Sequence, residues 1–234
     1  MAKAKTPDQI PLDFAHPSAE TRDDLIVSDP LSAAVTIVDR WPDWPSPVVI
    51  LAGPVGSGKS HLAAIWAAHS GAARVTATAD DAAAMEAAAA GPLLIEDIDR
   101  AGFDETALFH LINAVRAAGS TMLITTRLWP AAWKVTLPDL SSRLKAATIV
   151  EIGEPDDDLL AQVLVKLFAD RQIAADDRIV AYMVARMERS LAAARQLVAR
   201  IDEIALSRRA PVSRAIAAQA LAEMEAGEAD TELS

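Results

Sequence analysis

Apolar and polar positions follow two regimes along this chain, and the change falls near residue 154. Before it, short apolar runs alternate with stretches of helical periodicity. Runs at 48–52, 74–78, 93–98, 121–126 and 148–152 read as strands. The first, Val48-Val49-Ile50-Leu51-Ala52, is apolar at every position, the pattern of a strand buried on both faces. The stretches 58–69, 80–90 and 104–118 read as helices, the last with Asp104 as its cap. Strands alternating with helices predict an α/β core, a parallel sheet flanked by helices.

After Gly153-Glu154-Pro155 the strand signals stop, and amphipathic segments follow at 156–170, 176–187, 190–207 and 213–225. Asp156, Ser190 and Ser213 stand where N-caps belong, and Pro155 and Pro211 punctuate the joins. The expected organisation is an extended tail over 1–20, an α/β core over 21–153, a C-terminal helical lid subdomain over 154–225 and a frayed acidic tail over 226–234.

Chemistry enters directly after the first buried strand. Gly53-Pro54-Val55-Gly56-Ser57-Gly58-Lys59-Ser60 completes the pattern GxxxxGK[ST], a phosphate-binding loop. Three glycines let backbone N–H groups converge on phosphate oxygens, Lys59 reaches the β- and γ-phosphates, and the Ser60 hydroxyl ligates Mg²⁺. His61 follows on the same helix start and joins the candidate nucleotide-binding residues. A second acidic motif, Leu93-Leu94-Ile95-Glu96-Asp97-Ile98-Asp99, ends a buried run. In phosphate-loop enzymes such a strand end lies beside the loop Ser, where one acid holds Mg²⁺ and the next orients water. Ser60 and Glu96 are thus the candidate Mg²⁺ residues, and Glu96 and Asp97 the candidate catalytic pair.

Composition restricts the partners. A formal net charge of −11 argues against a broad nucleic-acid surface. There is no cysteine, residues 1–20 carry no apolar signal core, and no apolar stretch reaches membrane-spanning length. A soluble cytoplasmic protein without membrane contact is the expectation. His61 and His110 have no second ligand at metal spacing, so no metal besides Mg²⁺ is expected. The segments Trp41-Pro42-Asp43-Trp44-Pro45 and Trp129-Pro130-Ala131-Ala132-Trp133 read as rigid loops with aromatic anchors.

With these motifs the chain resembles the AAA+ ATPases, and among them the replication-initiator clade typified by DnaA. Leu123-Ile124-Thr125-Thr126-Arg127 is similar to the clade's sensor 1 strand, and residues 188–202 occupy the place of the lid helix that bears sensor 2. Leu137-Pro138-Asp139-Leu140-Ser141-Ser142-Arg143-Leu144 resembles the segment carrying an arginine finger, most closely that of Hda-type, DnaA-related regulators. The resemblance covers about residues 21–222. It implies bound ADP or ATP with Mg²⁺, Thr125 and Thr126 facing the γ-phosphate, and Arg143 acting in trans from an exposed polar segment. Ile26 and Val27 fall where the clade contacts adenine, though ordinary core packing is an equal alternative. Two departures matter. The acidic pair is Glu96-Asp97 where the family usually has Asp then Glu, which predicts slow hydrolysis in cis. Ala192 aligns with the sensor 2 arginine, flanked by Arg189 and Arg195. Nothing after the lid helices is expected to form the initiator's DNA-binding domain.

Gln9-Ile10-Pro11-Leu12-Asp13-Phe14 fits the QxxLxF form of peptides that bind the bacterial β sliding clamp. From the residues alone, Leu12 and Phe14 better suit an arm packed on the core; the resemblance reverses that and favours docking through Gln9, Leu12 and Phe14. The partners it implies are the initiator DnaA and the β sliding clamp of DNA polymerase III, with DNA reached only through the clamp and a homodimer left open. The first function expected is an adaptor that is tethered to the clamp and presents Arg143 to ATP on the initiator. The alternatives are a self-associating ATPase such as a helicase loader, and a small-molecule kinase, which the helical lid opposes.

Overall fold

The structure, a computed structural model, describes residues 26–78 and 82–232. Gln9, Leu12 and Phe14 lie outside the described residues. The core is one sheet of strands β1 (Val48–Ala52), β2 (Ala73–Arg74), β3 (Leu93–Ile95), β4 (Met122–Thr126) and β5 (Thr148–Glu151). All pairings are parallel and the order is β2-β3-β4-β1-β5. The register sets Ala52 beside both Thr126 and Glu151, so the ends of three strands meet at one edge.

Side-chain alternation sends each strand's apolar residues to two cores. Val48, Ile50, Leu93, Ile95, Met122 and Ile124 meet α3 (Ala82–Ala90), α5 (Glu105–Ala117) and α6 (Pro138–Lys145). Val49, Leu51, Leu94 and Leu123 meet α1 (Asp29–Asp39) and α2 (Lys59–Ser70) on the other face. A third core belongs to the lid helices α7 (Asp157–Asp170), α8 (Asp177–Val184), α9 (Leu191–Arg208) and α10 (Arg214–Glu232), around Leu164, Phe168, Met183, Leu197 and Ile201.

Three of the expected caps form. The Asp104 carboxylate accepts from Ala107 N at 2.8 Å, Asp156 from Leu159 N at 2.7 Å, and the Ser190 hydroxyl from Ala193 N at 2.9 Å. At Ser213 the matching contact, from Ile216 N, is 3.5 Å. Several boundaries differ from the sequence reading. β2 holds two residues, where 74–78 read as strand. β3 stops at Ile95, because Asp97 takes a left-handed φ of 44° and turns the chain into the short helix α4 (Ile98–Ala101). α10 runs on to Glu232, through most of the segment read as frayed. Helices α1 and α6 were missed, and the segment around Arg143 is therefore helical.

Both tryptophan segments act as anchors. Trp44 stacks on Trp66 with ring centroids 5.2 Å apart and donates to Ile37 O. Trp133 packs against Phe103, while Trp129 is exposed.

Candidate nucleotide-binding site

The loop at 53–60 leaves the end of β1 with its path fixed by the sheet. Gly53 N–H donates to Thr126 O at 3.1 Å, and a Cβ on Gly53 would stand 2.3 Å from Ile152 O, so only glycine passes there. Gly56 (φ 72°) and Gly58 (φ 97°) take left-handed conformations that curl the loop, and Gly58 is the N-cap of α2. Val55 in the curl is exposed. Inside it, Lys59 Nζ donates to Gly53 O at 2.8 Å and Pro54 O at 2.6 Å, and lies 3.4 Å from the buried Ser57 hydroxyl. Lys59 is 4% exposed, and burial lowers its pKa; the Asp97 and Asp99 carboxylates oppose that shift while Arg127 adds to it. Ser60, in the first turn of α2, is exposed.

Beside the loop stands the end of β4. Thr125 Oγ1 accepts from Asp97 N at 2.8 Å, and Thr126 Oγ1 donates to Leu128 O at 2.9 Å; both threonines are fully buried. Asp99 accepts from the Arg127 and Leu128 backbone N–H groups at 3.0–3.1 Å, closing the turn after β4. Glu96, the candidate metal residue beside Ser60, pairs with Arg74 of β2. The carboxylates that act on the Lys59 charge are Asp97 and Asp99. Asp99 was not singled out in the sequence, although it stands in the acidic motif itself.

These residues suit a nucleotide phosphate with Mg²⁺. The loop carries a buried amine, and the Ser60 hydroxyl and the carboxylates of the acidic motif are oxygen donors of the kind Mg²⁺ prefers.

The lid reaches the loop as well. Leu191 N–H donates to Gly56 O at 2.9 Å, and Ser190, 2% exposed, fills the space where a Gly56 side chain would be. Ala192 is exposed. Arg189 is held by Asp157 at 2.6 Å and by Pro155 O, whereas Arg195 Nη2 lies 3.4 Å from the buried His61 Nδ1, one residue beyond the loop. Ile26 packs on the core of α1 and α2, and Val27 is exposed. Arg143 sits on α6, half-buried, and its guanidinium has no hydrogen bond or ion pair among the described residues. The Glu105 carboxylate binds Thr136 N and Leu137 N at the start of α6, and these bonds hold its pKa below the usual carboxylate value.

No family model matches the chain. An uncharacterized protein of Haemophilus influenzae is 32% identical over 88 residues, which make up 37% of this chain and 38% of that protein. This chain therefore aligns with well under half of that relative's length. Among solved structures, domain III of the Thermotoga maritima replication initiation protein DnaA superposes with a TM-score of 0.72 at 17% identity, covering 88% of this chain and 97% of that one. The AMPPCP-bound DnaA of Aquifex aeolicus gives 0.66 at 18% identity over 93% of this chain and 72% of that one. The Thermotoga maritima RuvB Holliday junction branch migration motor gives 0.59 at 18% identity, over 81% of this chain and 65% of that one. Described across both sheet faces and the helical lid, this chain has the fold of the AAA+ domains of DnaA and RuvB.

Proposed function

We propose that this chain is a nucleotide-binding AAA+ regulator of a DnaA-type replication initiator. In this reading it binds ADP or ATP with Mg²⁺ at residues 53–61, docks on the β sliding clamp through Gln9, Leu12 and Phe14, and supplies Arg143 in trans to ATP held by the initiator. The observation that carries it is the pairing of a complete phosphate loop with an arginine whose guanidinium has no hydrogen bond or ion pair among the described residues, on a fold shared with DnaA domain III. An arginine supplied in trans accelerates phosphoryl transfer by about 10³–10⁵ in other systems. Three features favour a regulator over a motor: the Glu96-Asp97 order, the exposed Ala192 at the sensor 2 position, and Glu96 turned toward Arg74.

The likeness to RuvB, a branch migration motor, supports a second reading in which the chain self-associates and hydrolyses ATP. ATP turnover by purified initiator, measured with and without this chain and DNA-loaded clamp, separates the two. The regulator reading expects negligible turnover by the chain alone and strong stimulation of the initiator. That stimulation should be absent from Arg143→Ala, which still folds and binds its own nucleotide. Turnover that rises with the chain's own concentration and needs no initiator would establish the motor instead.

A further inference from the structure

We propose that Leu191 of the lid is a positioning residue of the phosphate loop: its main-chain N–H holds the Gly56–Ser57 peptide so that the Ser57 N–H faces the phosphate cradle. The inference rests on the nucleotide-binding reading and deepens it. In a trans peptide the C=O and the following N–H point in opposite directions. The Gly56 carbonyl points out to Leu191 N, 2.9 Å away, and the Ser57 N–H points inward, across the curl toward Pro54 O at 3.4 Å. Leu191 is the first residue of α9, and the opening N–H groups of a helix have no intrahelical partner. Ser190 Oγ satisfies that of Ala193, and the loop's own carbonyl satisfies that of Leu191. Each element completes the other.

The fit around this bond is close. A Cβ on Gly56 would stand 2.2 Å from Ser190 Cβ, and the Leu191 side chain lies against both the lid core and the core of α1 and α2. The phosphate cradle is therefore a composite of core and lid. A lid that swings away leaves the Gly56–Ser57 peptide held only by the longer contact of Ser57 N with Pro54 O, 3.4 Å, and the aim of a phosphate donor loosens with it.

Leu191→Pro replaces this N–H with the ring Cδ, which also crowds Gly56 O, and it disturbs little of the helix. Ser190, with φ −143° and ψ 144°, already has the extended backbone required before proline, and proline is favoured at a first helical position. Leu191→Ala is the control, since it truncates the same side chain and keeps the N–H. Calorimetry with ADP should show Leu191→Pro binding at least about threefold more weakly than Leu191→Ala, the loss of one hydrogen bond with the displacement of Gly56 O added. Adenosine, which carries no phosphate, should bind both variants alike in an NMR titration. Equal ADP affinities, or an equal loss for adenosine, would overturn the proposal. If Leu191→Pro does not fold, hydrogen exchange on the wild type decides: the Leu191 amide should be protected, and more so with ADP. An amide exchanging like an unbonded one, with ADP or without, would also overturn it. A wild type that binds no ADP would instead bring down the nucleotide-binding reading.

Discussion

Lys59 shows how far one buried side chain can define the site. Its amine is enclosed by loop carbonyls, burial lowers its pKa, and the Asp97 and Asp99 carboxylates favour the charged form. Hydrogen bonds to charged groups are worth about 1.5–3 kcal/mol each, so Lys59→Ala should cut ADP affinity by roughly a hundredfold or more. Calorimetry giving equal affinities for mutant and wild type would refute the phosphate-loop reading. The acids divide differently from the sequence expectation. Glu96 pairs with the exposed Arg74, an arrangement worth only about 0–1 kcal/mol, while Asp97 and Asp99 act on Lys59. Asp97→Ala should therefore weaken the Mg²⁺ dependence of nucleotide binding more than Glu96→Ala does, as read from ADP titrations with Mg²⁺ and with chelator. The reverse order would favour Glu96 as the metal residue.

Among the elements, α6 is tied to a partner distant in sequence. It begins at Pro138, buries Leu140 and Leu144 one turn apart, and presents Arg143 between them. The chain entering it is tied down by the Glu105 carboxylate of α5, through Thr136 N and Leu137 N. Those bonds hold the Glu105 pKa below its ordinary 4.5, so their contribution to stability is present above that value and is lost as pH falls through the lower folded-state pKa. Glu105→Gln should lower the melting temperature at neutral pH, and the gap to wild type should close as pH falls below 4.5. A gap independent of pH would show that the carboxylate charge is not what anchors α6. A second prediction concerns α9, whose cap Ser190 is both buried and hydrogen-bonded. Ser190→Ala should cost about 1 kcal/mol in chemical denaturation. A loss below a few tenths would mean that packing on Gly56, rather than capping, holds the end of the helix.

On the scale of the whole molecule, two cores line the sheet and a third fills the lid, and the phosphate loop lies where sheet edge and lid meet. Among the described residues no helix is long and apolar enough to cross a membrane. The segment proposed to dock on the clamp lies before residue 26, where the described residues begin. Gln9→Ala combined with Leu12→Ala should leave melting temperature and ADP affinity unchanged and remove binding to immobilised clamp. A double mutant that melts several degrees lower and still binds clamp would identify the segment as a packing arm.

Features whose partners lie close along the chain are legible in the sequence by itself. The phosphate loop is contiguous, the caps at Asp104, Asp156 and Ser190 act within three residues, and the change of periodicity near 154 marks the lid. Even α1 leaves a readable stripe at Leu31, Ala34, Val35 and Val38, obscured by Pro30, which reads as a break yet stands in the first turn. α6 leaves only Leu140 and Leu144, too short a stripe for periodicity to establish. The tertiary structure alone decided contacts between distant segments. Glu96 turns to Arg74 because β2 and β3 are neighbours, Asp99 closes the turn after β4 because β3 and β4 are, and Leu191 meets Gly56 because the lid folds back over the loop. Local pattern fixes which residues form an element, whereas the direction of a side chain at an element's end depends on the order in which the elements pack.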